Sequence, residues 1–435
     1  MKRENTGEPA TTTGTMRTRP EVHLIGGTRT EAVKLAPVAL AMREAGLLRP
    51  VLLAGGRHPA TVTAVLTAFG LEPDITLTVE GSQTEPLTAM VRELDEIWSV
   101  RTPAAVIVQG DTTTSLAGAL AAFWRRIPVV HLEAGLRSGD LDPLFPEEAN
   151  RRLLAQVATL HLAPTPPAAM NLLDERIAHT DVLITGNTVV DATLAMAGRR
   201  MPFENPLLAA RAAQRETDRE TQRETDRGTK RETDRETGRV TKRGTSSDKR
   251  LVLVTADRRE SWGEPLSRIL DAVKQLIARY PDIEVVLPCH PDLSFHAQVD
   301  AALTGVERVT ATGPLSYPDL SRLLSEAYLV LTDSGGIQEE APSFGVPALV
   351  LRAATERVEG CAKLVGSDTA RIVEEASALL DSRVRRDAMT AGGNPYGDGL
   401  AARRTAQATA ALLGLAPAPE AMPVAQAALF SGVLG

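Results

Sequence analysis

The chain has 435 residues, 43% hydrophobic and 24% charged, with a formal net charge of −7. That length exceeds one ordinary core and predicts two domains, while the acidic balance supplies no global basic field to hold nucleic acid or an anionic membrane. Its two cysteines, Cys289 and Cys361, stand in no metal-ligand spacing, which argues against a disulfide framework or a structural zinc.

The opening residues 1–20 are polar and lack the apolar centre of a signal peptide. No apolar run reaches the roughly 18 to 20 residues of a membrane span, so the reading is cytoplasmic. "EVHLIGG" then predicts a strand, followed by a helix over "TEAVKLAPVALAMREAG". "AAVIVQGD" leads into "TTTSLAGALAAFWRR", and "PVVHLEAG" is a further strand. The second half repeats the alternation: "LVLVTAD" before "PLSRILDAVKQLIARY", then "IEVVLPC", "AYLVLTDS" before "GGIQEEAPSFG", and "PALVLR". Strand followed by helix in both halves predicts an α/β chain with a doubly wound parallel sheet occurring twice. Ligands of such sheets bind beyond the carboxyl ends of the strands.

Between the halves, Arg recurs at every fourth position from Arg215 to Arg243. Stacked arginines disfavour a helix and the interleaved Glu and Asp partly offset this, so a frayed helix and a disordered tether both remain open. With no apolar stripe to dock, the stretch reads as a solvated low-complexity insertion over 212–249. After an Ala-rich helix, residues 415–435 read as a loose Pro-Ala tail.

Three stretches can carry chemistry. In "GGTRTEAVK" a strand gives way to a helix, where backbone N–H groups with Arg29 and Lys34 can face a phosphate; a plain tight turn is the alternative. Ser334, Gly335 and Gly336 occupy an equivalent turn that lets a diphosphate approach the backbone, with Glu340 beyond it for ribose hydroxyls; a glycine turn with a surface acid is the alternative. Asp111, Glu133, Glu147 and Glu148 follow strand ends of the first half, where crowded carboxylates can divide into acid and base. Taken singly, each is more often a helix cap, Asp111 before "TTT" above all. His131 reads as hydrogen-bonded structure.

Together "GTRTEAVKLAPV", "GDTTTSLA", "HLEAGLRSGDLDPLFPEEANRRL", "ITGNTVVDA", "LTDSGGIQEEAPSFGVPALVLR" and "NPYGDGLAARR" resemble the non-hydrolysing UDP-N-acetylglucosamine 2-epimerases. The resemblance implies a glycosyltransferase-B type fold: Rossmann-like domains over 21–185 and 186–390 around a cleft, and a segment 391–414 returning to the first. It implies a homodimer that uses no metal or nicotinamide and interconverts UDP-GlcNAc and UDP-ManNAc, with a UDP-sugar as its small-molecule partner. A hydrolysing relative and a non-catalytic UDP-sugar sensor are the alternatives. Carried over, Asp111, Glu133 and Glu147 are the catalytic carboxylates with Arg151 beside them; Arg29, Lys34, Ser334, Gly335, Gly336 and Glu340 bind the nucleotide sugar.

The departures are as informative as the matches. Asp257-Arg258-Arg259-Glu260 stands where the family has His-Arg-Arg-Glu, so Asp257 takes the catalytic position near the leaving diphosphate and Arg258 a substrate-binding one. An anion there costs on the order of 4 kcal/mol at about 4 Å with an effective dielectric of about 20 unless Arg258 or Arg259 neutralises it. Thr30 and Val358 replace family prolines, "RHPAT" from Arg57 to Thr61 departs from an activator-site motif, and His290 retains a family histidine.

Overall fold

In a computed structural model the chain is described over residues 19–56, 59–77, 85–139, 141, 145–233, 249–353 and 361–423, with backbone alone for 85–86 and 222–233. Arg57, Val358 and most of both tails lie outside the described residues.

The first half supplies β1 (Glu21–Gly26), β2 (Arg49–Ala54), β3 (Ile75–Thr76), β4 (Ala105–Gln109), β5 (Val129–Leu132), β6 (Leu160–Ala163) and β7 (Val182–Ile184). They form a seven-stranded sheet in the order β3-β2-β1-β4-β5-β6-β7. β8 (Arg250–Thr255), β9 (Ile283–Pro288), β10 (Val309–Thr312), β11 (Ala327–Thr332), β12 (Ala348–Val350) and β13 (Ala362–Leu364) form a six-stranded sheet in the order β10-β9-β8-β11-β12-β13. Every pairing is parallel. Both sheets wind outward from their first strand, so each has a switch point, between β1 and β4 and between β8 and β11.

The apolar strand runs are continuous because helices cover both faces: Leu24, Ile25, Val106, Ile107 and Val108 are wholly buried, as are Leu253 and Val254. With aromatics at 3%, close packing relies on small residues. Gly118 lets the Thr113–Trp124 helix settle on β1 and β4, where an added Cβ would lie 2.8 Å from Ile25 and 3.1 Å from Val108. In the second half the Glu264–Arg279 helix buries Leu266, Ile269, Leu270, Val273, Leu276 and Ile277, one helical stripe.

The Thr188–Gly198 helix joins the halves, packing on the Arg29–Ala45 helix on one side and on the Tyr317–Glu326 and Gly335–Glu340 helices on the other. The Ala401–Leu412 helix returns from the second sheet to lie on Arg29–Ala45. Its first turn is capped from outside: Asp191 accepts the Ala401 N–H at 3.2 Å and the Ala402 N–H at 2.9 Å.

Two expectations need qualifying. The Arg-rich stretch takes the helical form as far as Thr233, in a helix whose start is anchored by the wholly buried Leu208 and by Arg211 and Arg215, which reach Glu284 at 2.6 and 3.1 Å. The C-terminal tail is not loose over 415–423: Ala416 packs on the first core, Met422 is buried, and its N–H donates to the Ile184 carbonyl at 2.7 Å.

Asp191→Ala should lower stability by about 1–2 kcal/mol in urea unfolding, the loss expected of a helix cap. Burial pushes the Asp191 carboxyl up to about 6. The folded state therefore holds this proton more tightly than the unfolded chain, and the Asp191 contribution to stability falls as pH rises from about 4 to about 6. Asp191→Asn should flatten that part of the stability–pH curve.

Candidate functional site

The turn after β1 is built around a buried acid. Thr28 caps the Arg29–Ala45 helix by accepting the Glu31 N–H at 3.3 Å, and the Glu31 carboxylate turns back to accept the Gly27 N–H at 2.9 Å. The same carboxylate accepts the Thr112 and Ser115 hydroxyls at 2.6 and 2.8 Å, tying the turn after β1 to the turn after β4. Burial raises the Glu31 pKa, and these hydrogen bonds pull it back. Gly27 has to be glycine, since a Cβ would meet the Thr114 hydroxyl at 2.2 Å. Arg29, half-buried at the head of the helix, carries a buried Nη2 with no hydrogen-bond partner. Its charge reaches across to the second half, drawing down the pKa of both Asp257 and Glu340.

One turn on, Lys34 is 2% exposed and joins two acids from opposite halves: its Nζ lies 2.5 Å from Glu133 and 3.4 Å from Glu339. Gln109, at the end of β4, also donates to Glu133. The Asn187 amide bridges the same pair, donating to Glu133 at 3.3 Å and to Glu339 at 3.1 Å. Glu133 adopts φ +63, a left-handed conformation disfavoured for a side chain with a Cβ, at the carboxyl end of β5.

Asp111 lies two residues beyond Gln109 and is gripped by Arg151, whose Nε and Nη2 lie 2.7 and 2.5 Å from Oδ2. Arg151 is held in turn by Glu148, at 2.9 Å and wholly buried, which also accepts the Ser138 N–H. Glu147 is half-buried in the first turn of the same Glu147–Val157 helix. His131 spans from β5 to the Gly110 carbonyl at 2.7 Å; burial lowers its pKa to about 3, leaving it neutral structure.

At the second switch point Asp333 is the organiser. Fully buried, it accepts the Asp257 N–H at 3.1 Å, the Arg258 N–H at 2.9 Å and the Ser261 hydroxyl at 2.7 Å, shaping the whole loop after β8. The Asp257 side chain is exposed, but surrounding protein and then the Asp333 carboxylate raise its pKa, a push that water partly screens. The charges opposing it are His290 and Arg29. Arg258 instead pairs with Glu260 at 3.5 Å, so the charges opposing Asp257 come from outside its own loop, His290 beyond β9 and Arg29 from the other half of the chain. His290 rests edge-on against Trp262 with ring centroids 4.9 Å apart. Glu340 lies under the Ser334–Gly336 turn: a Cβ on Gly336 would be 3.5 Å from its Oε1. Its Oε2 accepts Thr193 at 3.1 Å and Tyr317 at 3.2 Å, and burial raises the carboxyl to about 7.

Hydrogen bonds and charge thus bring Arg29, Lys34, Asp111, Glu133, Arg151, Asp257, His290 and Glu340 to the carboxyl ends of the two sheets, with Ser334, Gly335 and Gly336 at the turn after β11. A surface cavity of about 920 Å³ lined by Arg19, Glu21, Arg43 and Arg49 lies at the opposite, amino ends of β1 and β2. Among the described residues no group of three or more His, Cys, Asp or Glu side chains could hold a metal ion, and no helix is long and apolar enough to cross a membrane. Residue reading missed Glu31, Gln109, Asn187, Asp333 and Glu339. Asp333 and Glu339 each adjoin a singled-out residue, and Asn187 precedes a helix as a cap does, but their partners are distant in sequence.

The family model described as UDP-N-acetylglucosamine 2-epimerase matches residues 40–410. The chain is 38% identical to the UDP-N-acetylglucosamine 2-epimerase of Escherichia coli K12 over 395 residues, covering 89% of this chain and 98% of that one. Among solved structures, it resembles the Neisseria meningitidis UDP-GlcNAc 2-epimerase bound to UDP-GlcNAc at a TM-score of 0.75 and 33% identity, covering 91% and 100% of the two chains. The Methanocaldococcus jannaschii UDP-GlcNAc 2-epimerase in complex with UDP-GlcNAc and UDP matches at a TM-score of 0.70 and 28% identity, covering 91% and 99%.

Removing Lys34 leaves Glu133 and Glu339 facing one another in a buried site. Lys34→Met should cost about 3–5 kcal/mol, the range for breaking a buried ion pair by deleting one partner. Adding Glu339→Gln to it should recover part of that loss in urea unfolding.

Proposed function

The chain belongs to the UDP-N-acetylglucosamine 2-epimerase family, and we propose that it interconverts UDP-GlcNAc and UDP-ManNAc by elimination and re-addition of UDP in the cleft between its two sheets. The observation that carries this reading is that Lys34 ties Glu133, beyond the end of β5, to Glu339 in the helix that the Ser334–Gly336 turn opens. In this reading the carboxylates for proton transfer and a backbone turn for a diphosphate face one cleft.

The chemistry asks for such a pairing. The C2 proton of a sugar is barely acidic, so the C1–O bond breaks first, its electron pair leaving on the diphosphate. Oxocarbenium character at C1 then acidifies C2–H, a carboxylate takes the proton, and 2-acetamidoglucal forms beside UDP. Delivery of a proton to the opposite face of C2, with return of the diphosphate oxygen to C1, inverts that carbon. In this reading Asp111, Glu133 and Glu147 serve the proton transfers, and Arg151 and Lys34 hold the first two in place. Charge on the leaving diphosphate meets Arg29, Arg258, His290 and the N–H groups of the Ser334–Gly336 turn. Glu340 receives the ribose hydroxyls. Asp257 opposes the diphosphate charge, and Arg29 and His290 offset it. The scheme requires a cleft that keeps the glucal intermediate in.

We propose further that the protein is a homodimer joined through the first domain. Phe123 and Trp124, 50% and 66% exposed, and Leu153, 52% exposed, sit on neighbouring helices of that half, and apolar side chains so exposed suit a face that a second copy covers.

An NMR time course with UDP-GlcNAc in D2O tests the reaction: deuterium should enter C2 as UDP-ManNAc appears. Free ManNAc with UDP would indicate hydrolysis, and binding without exchange a sensor. Glu133→Gln and Asp111→Asn should each lower turnover by roughly 10²–10⁴-fold. Because ribose hydroxyls donate to an ionised Glu340, UDP-GlcNAc binding measured by calorimetry should tighten as pH rises from about 6 to about 8. Glu340→Gln should bind more weakly and lose that dependence.

A further inference from the structure

The match to the family stops at residue 410, yet the chain continues with ordered contacts to 423. Gly414, at φ +71, reverses it: the Leu415 N–H donates back to the Ala410 carbonyl at 2.9 Å. The segment then runs alongside the Ala401–Leu412 helix, with Gln407 donating to the Pro417 carbonyl at 3.2 Å. It ends on the outer edge of the first sheet, where the Met422 N–H donates to the carbonyl of Ile184, the last residue of β7, at 2.7 Å.

β7 is an edge strand, and edge-strand ends are among the first places to open. The residues just after β7 make that consequential. Gly186 adopts φ +88, and a Cβ there would lie 3.0 Å from the Met422 sulfur, 3.3 Å from the Tyr396 carbonyl and 3.4 Å from Ala401 Cβ. Met422 is 7% exposed, so its side chain closes the open side of the most flexible residue type in the segment. The next residue is Asn187, whose N–H donates to the Tyr396 carbonyl at 2.6 Å and whose amide reaches both Glu133 and Glu339.

We infer that residues 415–423 form a strap whose anchor, Met422, is a positioning residue: it holds the Ile184–Gly186 corner so that the Asn187 amide stays aimed at Glu133. Its effect passes through one glycine and one amide. The inference rests on the reading of Glu133 as a proton-transfer group.

The test compares the full chain with four variants: truncation after Pro423, truncation after Gly414, Met422→Ala and Met422→Leu. Epimerisation kinetics are measured together with amide hydrogen exchange over residues 184–190. Truncation after Gly414 and Met422→Ala should lower kcat about tenfold or more, since small misplacements of a catalytic group cost that much. They should leave KM within about twofold and speed exchange at 184–190. Met422→Leu, of similar bulk, and truncation after Pro423 should behave as the full chain. An unchanged kcat on losing 415–435, or Met422→Leu failing as badly as Met422→Ala, overturns the strap. If the shorter truncation does not fold, the Met422 pair decides alone. A full chain that exchanges no C2 hydrogen sinks the functional reading itself, whereas an active full chain with intact kcat in the variants sinks the strap and leaves that reading standing.

Discussion

Lys34 is the constraint around which the site is arranged. A buried ammonium is costly unless compensated, and here the compensation comes from two carboxylates belonging to different halves of the chain. Two acids on one cation leave a net negative charge, and the Asn187 and Gln109 amides share it by donating to the same two carboxylates. Ion pairing therefore does three things at once. It orients Glu133, fastens the second half to the first, and makes Asn187, the cap of the connecting helix, part of the site.

Elsewhere the same logic recurs with different groups. Each switch point is organised by a buried acid: Glu31 between β1 and β4, Asp333 between β8 and β11. Both accept backbone N–H groups and hydroxyls from adjoining loops, fixing turns that glycine leaves pliable. Each stands behind the surface it shapes. The groups left facing the cleft are then free to carry chemistry, Arg29 with its unpaired nitrogen being the clearest case.

The Asp257 departure obeys the same constraint. Asp257 would be isolated if its neighbours were drawn from its own loop, because Arg258 is engaged by Glu260 and Asp333 adds negative charge. Arg29 crosses from the other half to oppose it, with His290 alongside. The balance of charge in the cleft is a property of both sheets together.

Alternation of strand and helix, read from apolar runs and their spacing, determined the α/β class and the doubled parallel sheet, because burial on both faces leaves an unbroken hydrophobic signature in each strand. Glycine turns and acids after strand ends marked where chemistry sits, since winding brings those ends to one side of each sheet. What residue reading could not reach were partnerships across long stretches of chain: Lys34 with Glu339, Asn187 with Glu133, Asp333 with the loop after β8. Nor could it see that 415–423 dock, because their hold is a few scattered hydrogen bonds, Ala416 on the first core and one methionine over one glycine, which leave no periodic pattern. Local propensity and periodicity are written along the chain; which buried charge meets which is decided by the packing of two sheets, whose geometry sets the distances on which Coulomb and hydrogen-bond energies depend.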